Sequence, residues 1–546
     1  MRRGKRTFLG ILAILLCILS GCGSLGAAGA REQTSLWVLT EQSTRDGMNL
    51  QAEIIAERME KENPGLTVQL DILPTDPQER EIRLKRLRTK IMAGDGPDVY
   101  LLPTGNRLLL DDDDERAANI STSALAVEPL FSDIEQAMRV GLFADTEPYY
   151  SQDDALPKED FQQQVMAAGC VSGKRLILPL RFDIPLLLTI PEYFDRCGID
   201  GEAMNTDCIS MAEYLLSRDN WSEVAGGLTL PTDTRLLPSC LDYDHERVQI
   251  SVEEIARYLH TYQQSTFLGQ RQKTAIMDAW EETHYTRYKQ WLTSTSSNDE
   301  DDVYIIYPFT GSFEDFNSTY DYIAHGIHWI ENLLGLTVYP VFTSNLTGAL
   351  ESVAVAKQAG HTLRMLPMRT SDNKIAAAVT YFGAVGSSCR NQELAYRFLR
   401  EFLTEEFQGG LYRPRLRKKT YAPKNSQTDG QVENSWPVLV TGSTASLWNC
   451  LRYQCQGAGD MSEFIIRPKS SSIGRAIMSL QITDADIPAL SWEIDEVRFP
   501  VTIPGTDSLE HALSQLNEPD GTPTDADIDA LAQQVYQGLW WHLAEG

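Results

Sequence analysis

The stretch IMAGDGPDVYLL, residues 91–102, decides the fold. Its first residues complete a helical pattern over residues 79–93, its Gly and Pro end that helix, and its last five residues are typical of a buried strand. Further toward the amino terminus, residues 66–72 alternate as a strand, residues 48–63 have helical spacing, and residues 35–39 are a short apolar strand. This order of strands and helices predicts an α/β fold with parallel pairing and a ligand crevice beyond the carboxyl ends of the strands.

The amino terminus has the features of a secretion signal. A basic start, MRRGKR, precedes an apolar run over residues 8–19 and the small residues Ser20 and Gly21. The run is shorter than the roughly 20 residues that a membrane-spanning helix needs, so residues 1–21 are predicted to be a signal peptide. Cys22 directly after the small residues resembles a bacterial lipobox, which predicts a lipid on its sulfur. The alternative is an ordinary signal peptide in which this cysteine is incidental.

A lipid on Cys22 places the chain on the extracytoplasmic face of the cell membrane. Residues 22–34 are rich in Gly, Ala and Ser and are predicted to be a flexible tether. The net charge of −28 repels phosphate backbones, which excludes nucleic acid as an expected partner. Hydrophobic residues make up 42% of the chain, which is typical of a globular protein with a core.

The sequence carries little support for catalysis or for a bound metal. It contains no CxxC, HExxH, GxSxG or GxxxxGK[ST] pattern. His325 and His328 could share a helix face, but they lack an obvious third metal ligand. The alternating acids at 525–529 do not form a calcium loop, because the Gly and Glu that such a loop needs are missing, and they are predicted to begin a helix. We therefore expect no enzyme activity, no cofactor and no metal.

Further along the chain, residues 176–180 and 363–367 are predicted strands. Residues 184–190 and 375–385 are strongly apolar. Residues 391–408 are predicted to form one helix with an apolar face.

Several of these segments together resemble the extracellular solute-binding protein family 1, the sugar-type substrate-binding lipoproteins of ABC transporters. The resemblance rests on the strand at 36–39, MEKENPG at 59–65, IMAGDGPDVY at 91–100, GKRLILPLRFDIP at 173–185 and the segment 384–408. It implies a two-lobe periplasmic-binding-protein type II fold with a hinge between the lobes, which close around a ligand.

The resemblance also implies a division of the chain and a function. Lobe 1 is expected to comprise residues 35–182 and 376–425, and lobe 2 residues 183–375 and 426–546. The expected ligand is a small solute, an oligosaccharide or related polyol, which the monomeric protein delivers to an ABC permease. The alternative is a ligand-binding lipoprotein for sensing or adhesion without a transport partner.

The resemblance places candidate ligand contacts in the loops after the first and third strands and where the chain crosses between lobes. The residues are Glu41, Thr104, Asn106, Arg181, Asp183 and Tyr381. Carboxylates and guanidinium groups bind paired hydroxyls, and aromatic rings cover the apolar face of a sugar. Other roles remain open: a helix cap or solvated loop for Glu41, a salt bridge between lobes for Arg181 and Asp183, and core packing for Tyr381.

Overall fold

A computed structural model describes the greater part of the chain in separate ranges. These are residues 34–41, 48–74, 76–105, 107–109, 125–191, 194–195, 198–218, 237, 240–264, 341–343, 346–358, 362–408, 436–439, 482–501, 503, 508–516 and 523–545. The predicted signal peptide, Cys22, most of the tether, Asn106 and the pair His325 and His328 lie outside the described residues.

The described strands are short except for the first two and the long one that begins at Ala376. They are β1 Thr34–Glu41, β2 Leu66–Leu73, β3 Val99–Pro103, β4 Arg107–Leu109, β5 Leu125–Val127, β6 Cys170–Val171, β7 Lys174–Arg175, β8 Leu178–Asp183, β9 Leu186–Thr189, β10 Leu241–Asp242, β11 Arg247–Val248, β12 Val341–Thr343, β13 Arg364–Pro367, β14 Ala376–Val385, β15 Trp436–Pro437 and β16 Glu496–Arg498.

The described helices fall between these strands and at the carboxyl terminus. They are α1 Met48–Glu62, α2 Pro77–Met92, α3 Ile134–Arg139, α4 Glu147–Tyr150, α5 Gln163–Ala168, α6 Cys208–Leu216, α7 at 252–264, α8 Leu346–Gln358, α9 Gln392–Arg400, α10 Glu405–Gln408, α11 Leu509–Leu516 and α12 Asp525–Glu545.

A seven-stranded mixed sheet forms the centre of the molecule, in the order β15-β8-β14-β3-β1-β2, with β16 beside β14. The pairs β1–β2 and β1–β3 are parallel, as the strand and helix order predicts. Strand β14 runs antiparallel to β3 and to β8, and each of its ten residues is buried. The α/β class is thereby confirmed, and β14 is the strand that joins the amino-terminal strands to the crossing strand β8.

Local chemistry explains where helix α2 begins and ends. Asp76 accepts hydrogen bonds from the backbone amides of Gln78 and Glu79, and Pro77 occupies the first helical position. Gly94 follows the helix with a φ of 73°, a left-handed conformation that favours glycine. Leu84 and Leu87 face the sheet and are fully buried.

The buried side chains form two separate hydrophobic cores. The first core, around the large sheet, includes Leu36, Tyr100 and Phe382. The second core packs α6, α7, α11 and α12 against a three-stranded antiparallel sheet in the order β12-β9-β13. Leu186 and Leu188 of β9 belong to the first core, whereas Leu187 between them belongs to the second. Strand β9 therefore contributes side chains to both cores, immediately after the chain leaves β8.

The segment predicted as one helix over residues 391–408 is not continuous, and this expectation was wrong. Helix α9 ends at Arg400, a 3₁₀ turn spans Glu401–Leu403, and α10 begins at Glu405 after Thr404 adopts an extended conformation. The break packs Phe402 and Phe407 side by side, with ring centroids 6.1 Å apart. Among the helices of the described residues, none has the length and apolar character to cross a membrane.

Candidate functional site

Four of the predicted ligand contacts lie together on three neighbouring elements. Tyr381 on β14 pairs with Pro103 of β3 on one side and with Arg181 of β8 on the other. Thr104 directly follows Pro103, and Asp183 pairs with Ala378 on β14. The structure thus brings Thr104, Arg181, Asp183 and Tyr381 to the point where the chain passes from the large sheet toward β9.

An irregularity in β14 shapes this region. The register of β14 against β8 shifts on both sides of Tyr381, so Thr380 lies at a β-bulge. The backbone carbonyl of Thr380 accepts a hydrogen bond of 3.0 Å from the Thr104 amide, and the Thr104 hydroxyl donates to the carbonyl of Val379. The Thr380 hydroxyl is buried and has no hydrogen-bond partner among the residues that the structure describes.

Arg181 is held by the backbone around it. Its side chain is 1% exposed, and its two terminal nitrogens donate to the carbonyls of Leu180 and Phe407, each at 3.1 Å. The buried amide of Gln408 donates to Leu180 at 3.3 Å and to Phe402 at 2.6 Å. The segment after α9 therefore fixes the first crossing strand and its arginine. Asp183, by contrast, is half-buried.

Glu41 lies at the carboxyl end of β1 in a buried ion pair. Its carboxylate accepts two hydrogen bonds from Arg80 of α2, one of them 2.8 Å long, and the two side chains are 3% and 2% exposed. Arg80 also donates to the carbonyls of Glu128 at 2.8 Å and Pro74 at 3.1 Å. Burial raises the pKa of Glu41, and the hydrogen bonds and charge of Arg80 oppose that rise. The sequence showed only that α2 is basic on one side; the pairing with Glu41 was not foreseen.

Asp98 connects the turn before β3 to two other parts of the first core. Its carboxylate accepts from the Trp37 amide at 2.9 Å, and its carbonyl accepts from the Gly386 amide at 2.9 Å. Burial and the neighbouring Asp98 raise the pKa of the Cys389 thiol to about 12. These bonds join β1, β3 and the end of β14, so the strands that carry the candidate site are fixed to one another at their opposite ends.

Gly105 is a further feature that the sequence alone did not single out. Its φ is 67°, and a Cβ at this position would lie 2.8 Å from the Cβ of Pro500. A glycine is therefore required here by both the backbone conformation and the space. The contact brings the segment after β16 against the loop that contains Thr104. Within the described ranges, no group of His, Cys, Asp and Glu side chains is arranged to hold a metal ion.

Comparisons with known proteins give weak structural similarities. No family model matches the sequence, and no curated protein matches it. A de novo designed cysteine esterase has a TM-score of 0.47 and 12% identity, covering 94% of this chain and 100% of the design. An extracellular solute-binding protein family 1 member from Alicyclobacillus acidocaldarius has a TM-score of 0.44 and 11% identity, covering 94% of this chain and 100% of its own. A sugar-binding protein from Xanthomonas citri has a TM-score of 0.43 and 13% identity, covering 93% and 98%.

The Alicyclobacillus protein carries the family description that the sequence resembles. At these identities and scores, the similarities say nothing about what this chain binds.

Proposed function

We propose that this chain is a lipid-anchored, extracytoplasmic solute-binding protein that captures a small solute between two lobes and delivers it to an ABC-type permease. The observation that carries the proposal is the meeting of Thr104, Arg181, Asp183 and Tyr381 on or beside β3, β8 and β14 of the first core, just before β9, whose side chains enter both hydrophobic cores. Ligands of open α/β sheets bind beyond the carboxyl ends of the strands, and β1 and β3 end beside this point.

The proposed ligand is an oligosaccharide or related polyol. A guanidinium group, a carboxylate, a hydroxyl and an aromatic ring are the groups that bind paired sugar hydroxyls and cover a sugar's apolar face. Arg181, Thr104 and Tyr381 are buried within the first core, whereas Asp183 is half-buried and is the most accessible of the four side chains. Glu41 and Asn106 remain predictions; the Glu41 carboxylate is already held by Arg80.

The Thr380 hydroxyl at the bulge supports the same location. A buried hydroxyl that makes no hydrogen bond costs about 1–3 kcal/mol, and a solute hydroxyl would remove that cost on binding. The bulge itself is a feature that recurs near binding sites, because it redirects a side chain from its place in the ladder.

The test is a thermal-shift screen of the chain from residue 31 onward against sugars, peptides and polyamines. A ligand present at 100 times its Kd stabilises the folded state by about 2.7 kcal/mol, which raises the melting temperature. We expect Asp183→Asn to lose the shift, measured against that variant's own melting temperature without ligand. Glu213→Gln is the matched control, since Glu213 lies on α6 of the second core in an exposed pair with Arg257.

If no compound in such a screen raises the melting temperature, the solute-binding proposal fails. If a sugar binds but cells lacking the protein take it up at the normal rate, the permease part fails and the sensing or adhesion alternative is favoured. The anchor is tested separately: Cys22→Ala should move the protein from the membrane fraction to the soluble one, and an unchanged distribution would refute lipidation of Cys22.

A further inference from the structure

A buried carboxylate of the first core is held by side chains of the second core. Asp133 caps helix α3, where one of its oxygens accepts a 2.9 Å hydrogen bond from the Gln136 amide. The residues that follow, Ile134, Ala137 and Met138, belong to the first core. The Asp133 side chain is 0% exposed, although it lies at the beginning of a short helix. Elements that come from elsewhere in the chain must therefore cover it.

Two elements of the second core supply that cover. His542, near the end of α12, places its Nε2 3.0 Å from the second oxygen of Asp133. Tyr243, in the turn between β10 and β11, donates its hydroxyl to the same oxygen. Because an ionised carboxylate only accepts hydrogen bonds, the Nε2 of His542 must carry the proton of that contact. Helix α12 and the β10–β11 hairpin pack with the second core, so both contacts connect the two cores.

A second pair of residues repeats the connection beside the first. Arg139, at the end of α3, lies 2.6 Å from the carboxylate of Asp244, and its guanidinium stands over the Tyr243 ring at 5.5 Å from the centroid. Arg139 also pairs with Glu135 on its own helix at 2.9 Å. The charged groups around Asp133 are thus the cations Arg139 and, when protonated, His542, with the acids Glu135 and Asp244 on the outer side.

Separating the two cores at this point would cost more than breaking an exposed ion pair. Burial by itself would raise the pKa of Asp133, but the hydrogen bonds from His542, Gln136 and Tyr243 and the His542 charge hold it below its usual range. Separation would replace two of its three donors by water, and a net loss remains because hydrogen bonds to a charged group contribute more than those between neutral groups. The Arg139 contacts, which are partly exposed, add less.

We propose that Asp133 and Arg139 on one lobe, with Tyr243, Asp244 and His542 on the other, form an inter-lobe latch. The latch holds the lobes in the arrangement of the structure and sets the fraction of molecules in which they are apart. Tyr243 and His542 lie 110 and 409 residues from Asp133 along the chain. Their contacts with Asp133 therefore depend on how the two cores are placed relative to each other, and local secondary structure alone does not produce them.

The consequence for binding rests on the proposed function. A ligand that binds one arrangement of the lobes has an apparent Kd equal to its intrinsic Kd divided by the fraction of molecules in that arrangement. The latch residues change the fraction of molecules in the binding arrangement, and they lie outside the crossing strands β8 and β14. They would therefore adjust the apparent affinity without contacting the solute.

The test measures the distance between the lobes in the full chain, purified in detergent and without any ligand. Spin labels are attached through a genetically encoded ketone residue at Met92, which is 82% exposed, and at Glu253, an exposed residue of α7. Asp133→Ser keeps the helix cap, because a serine oxygen also accepts from the Gln136 amide, and removes the oxygen that the second core holds. We expect the distance distribution of Asp133→Ser to gain a second population that the parent lacks.

The control is Asp76→Ser, which makes the same change at the cap of α2, where the Asp76 carboxylate accepts only from the amides of Gln78 and Glu79 among the described contacts. It should leave the distribution unchanged; a change equal to that of Asp133→Ser would overturn the latch, because a general effect of replacing a capping aspartate by serine would explain both. Tyr243→Phe with His542→Leu removes both donors from the second core and serves if Asp133→Ser fails to fold. A parent-like distribution in these variants refutes the latch and leaves the solute-binding proposal untouched.

Discussion

The buried pair of Glu41 and Arg80 gives the sharpest stability prediction. Glu41→Gln removes the negative charge but keeps the size of the side chain, and it leaves the 2% exposed Arg80 guanidinium with one neutral amide oxygen and two backbone carbonyls as acceptors and with an NH2 group facing it in place of the second carboxylate oxygen. Breaking a buried ion pair from one side costs about 3–5 kcal/mol, because the other charge stays buried without compensation. A Coulomb estimate agrees, since unit charges 4 Å apart attract by about 4 kcal/mol at an effective dielectric constant of 20.

The assay is urea unfolding followed by circular dichroism, with melting temperature as a second measure. A loss of about 3–5 kcal/mol corresponds to a fall in melting temperature on the order of 10 °C for a lobe of this size. The control is Glu128→Gln, which removes the partner of Arg88 on the same helix. That pair is 40% and 51% exposed and should contribute less than about 1 kcal/mol.

The double variant Glu41→Leu with Arg80→Met completes the cycle. It removes both charges, so it should be clearly more stable than Glu41→Gln alone. A Glu41→Gln variant that costs no more than the control, or a double variant as unstable as the single one, would show that no uncompensated buried charge is left on Arg80. A folded Glu41→Gln that keeps full ligand affinity would also assign Glu41 to structure and not to binding.

Three further predictions concern the first core and its surface. Gly386→Ala places a Cβ 2.3 Å from the Pro97 carbonyl oxygen, so it should destabilise by about 1–3 kcal/mol in the same urea assay, and an unchanged midpoint would contradict the close approach. The lowered pKa of Asp133 means that its contribution is complete above the usual aspartate pKa near 3.9 and is lost as the pH falls through the lower folded value. The stability gap between the parent and Asp133→Ser should therefore shrink on acidification, and a gap that grows would reverse the assigned sign. With a pKa of about 12, Cys389 is ~10⁻⁴ thiolate at pH 8, so iodoacetamide should modify it far more slowly in buffer than in urea; equal rates would show that it is accessible.

Much of the amino-terminal half could be predicted from the sequence because its signals are local. Apolar periodicity identified α1, α2 and strands β1 to β3 within a few residues, and the Gly-Pro turn before Asp98 separated helix from strand. Parallel pairing followed from the order of these elements. The break between α9 and α10 was missed, because the apolar spacing continues across Thr404 and only the packing of Phe402 against Phe407 determines where the helix stops.

The sequence by itself determined the α/β class, the order of the first elements and the residue types available for a polar site. Only the tertiary structure decided which of those residues meet. The pairing of Glu41 with Arg80, the bulge at Thr380 and the contact of Asp133 with His542 each join positions that no local pattern connects. Backbone periodicity is set by neighbours a few residues apart, whereas the partner of a buried charge is set by the packing of whole elements, and that is why these pairings had to be observed.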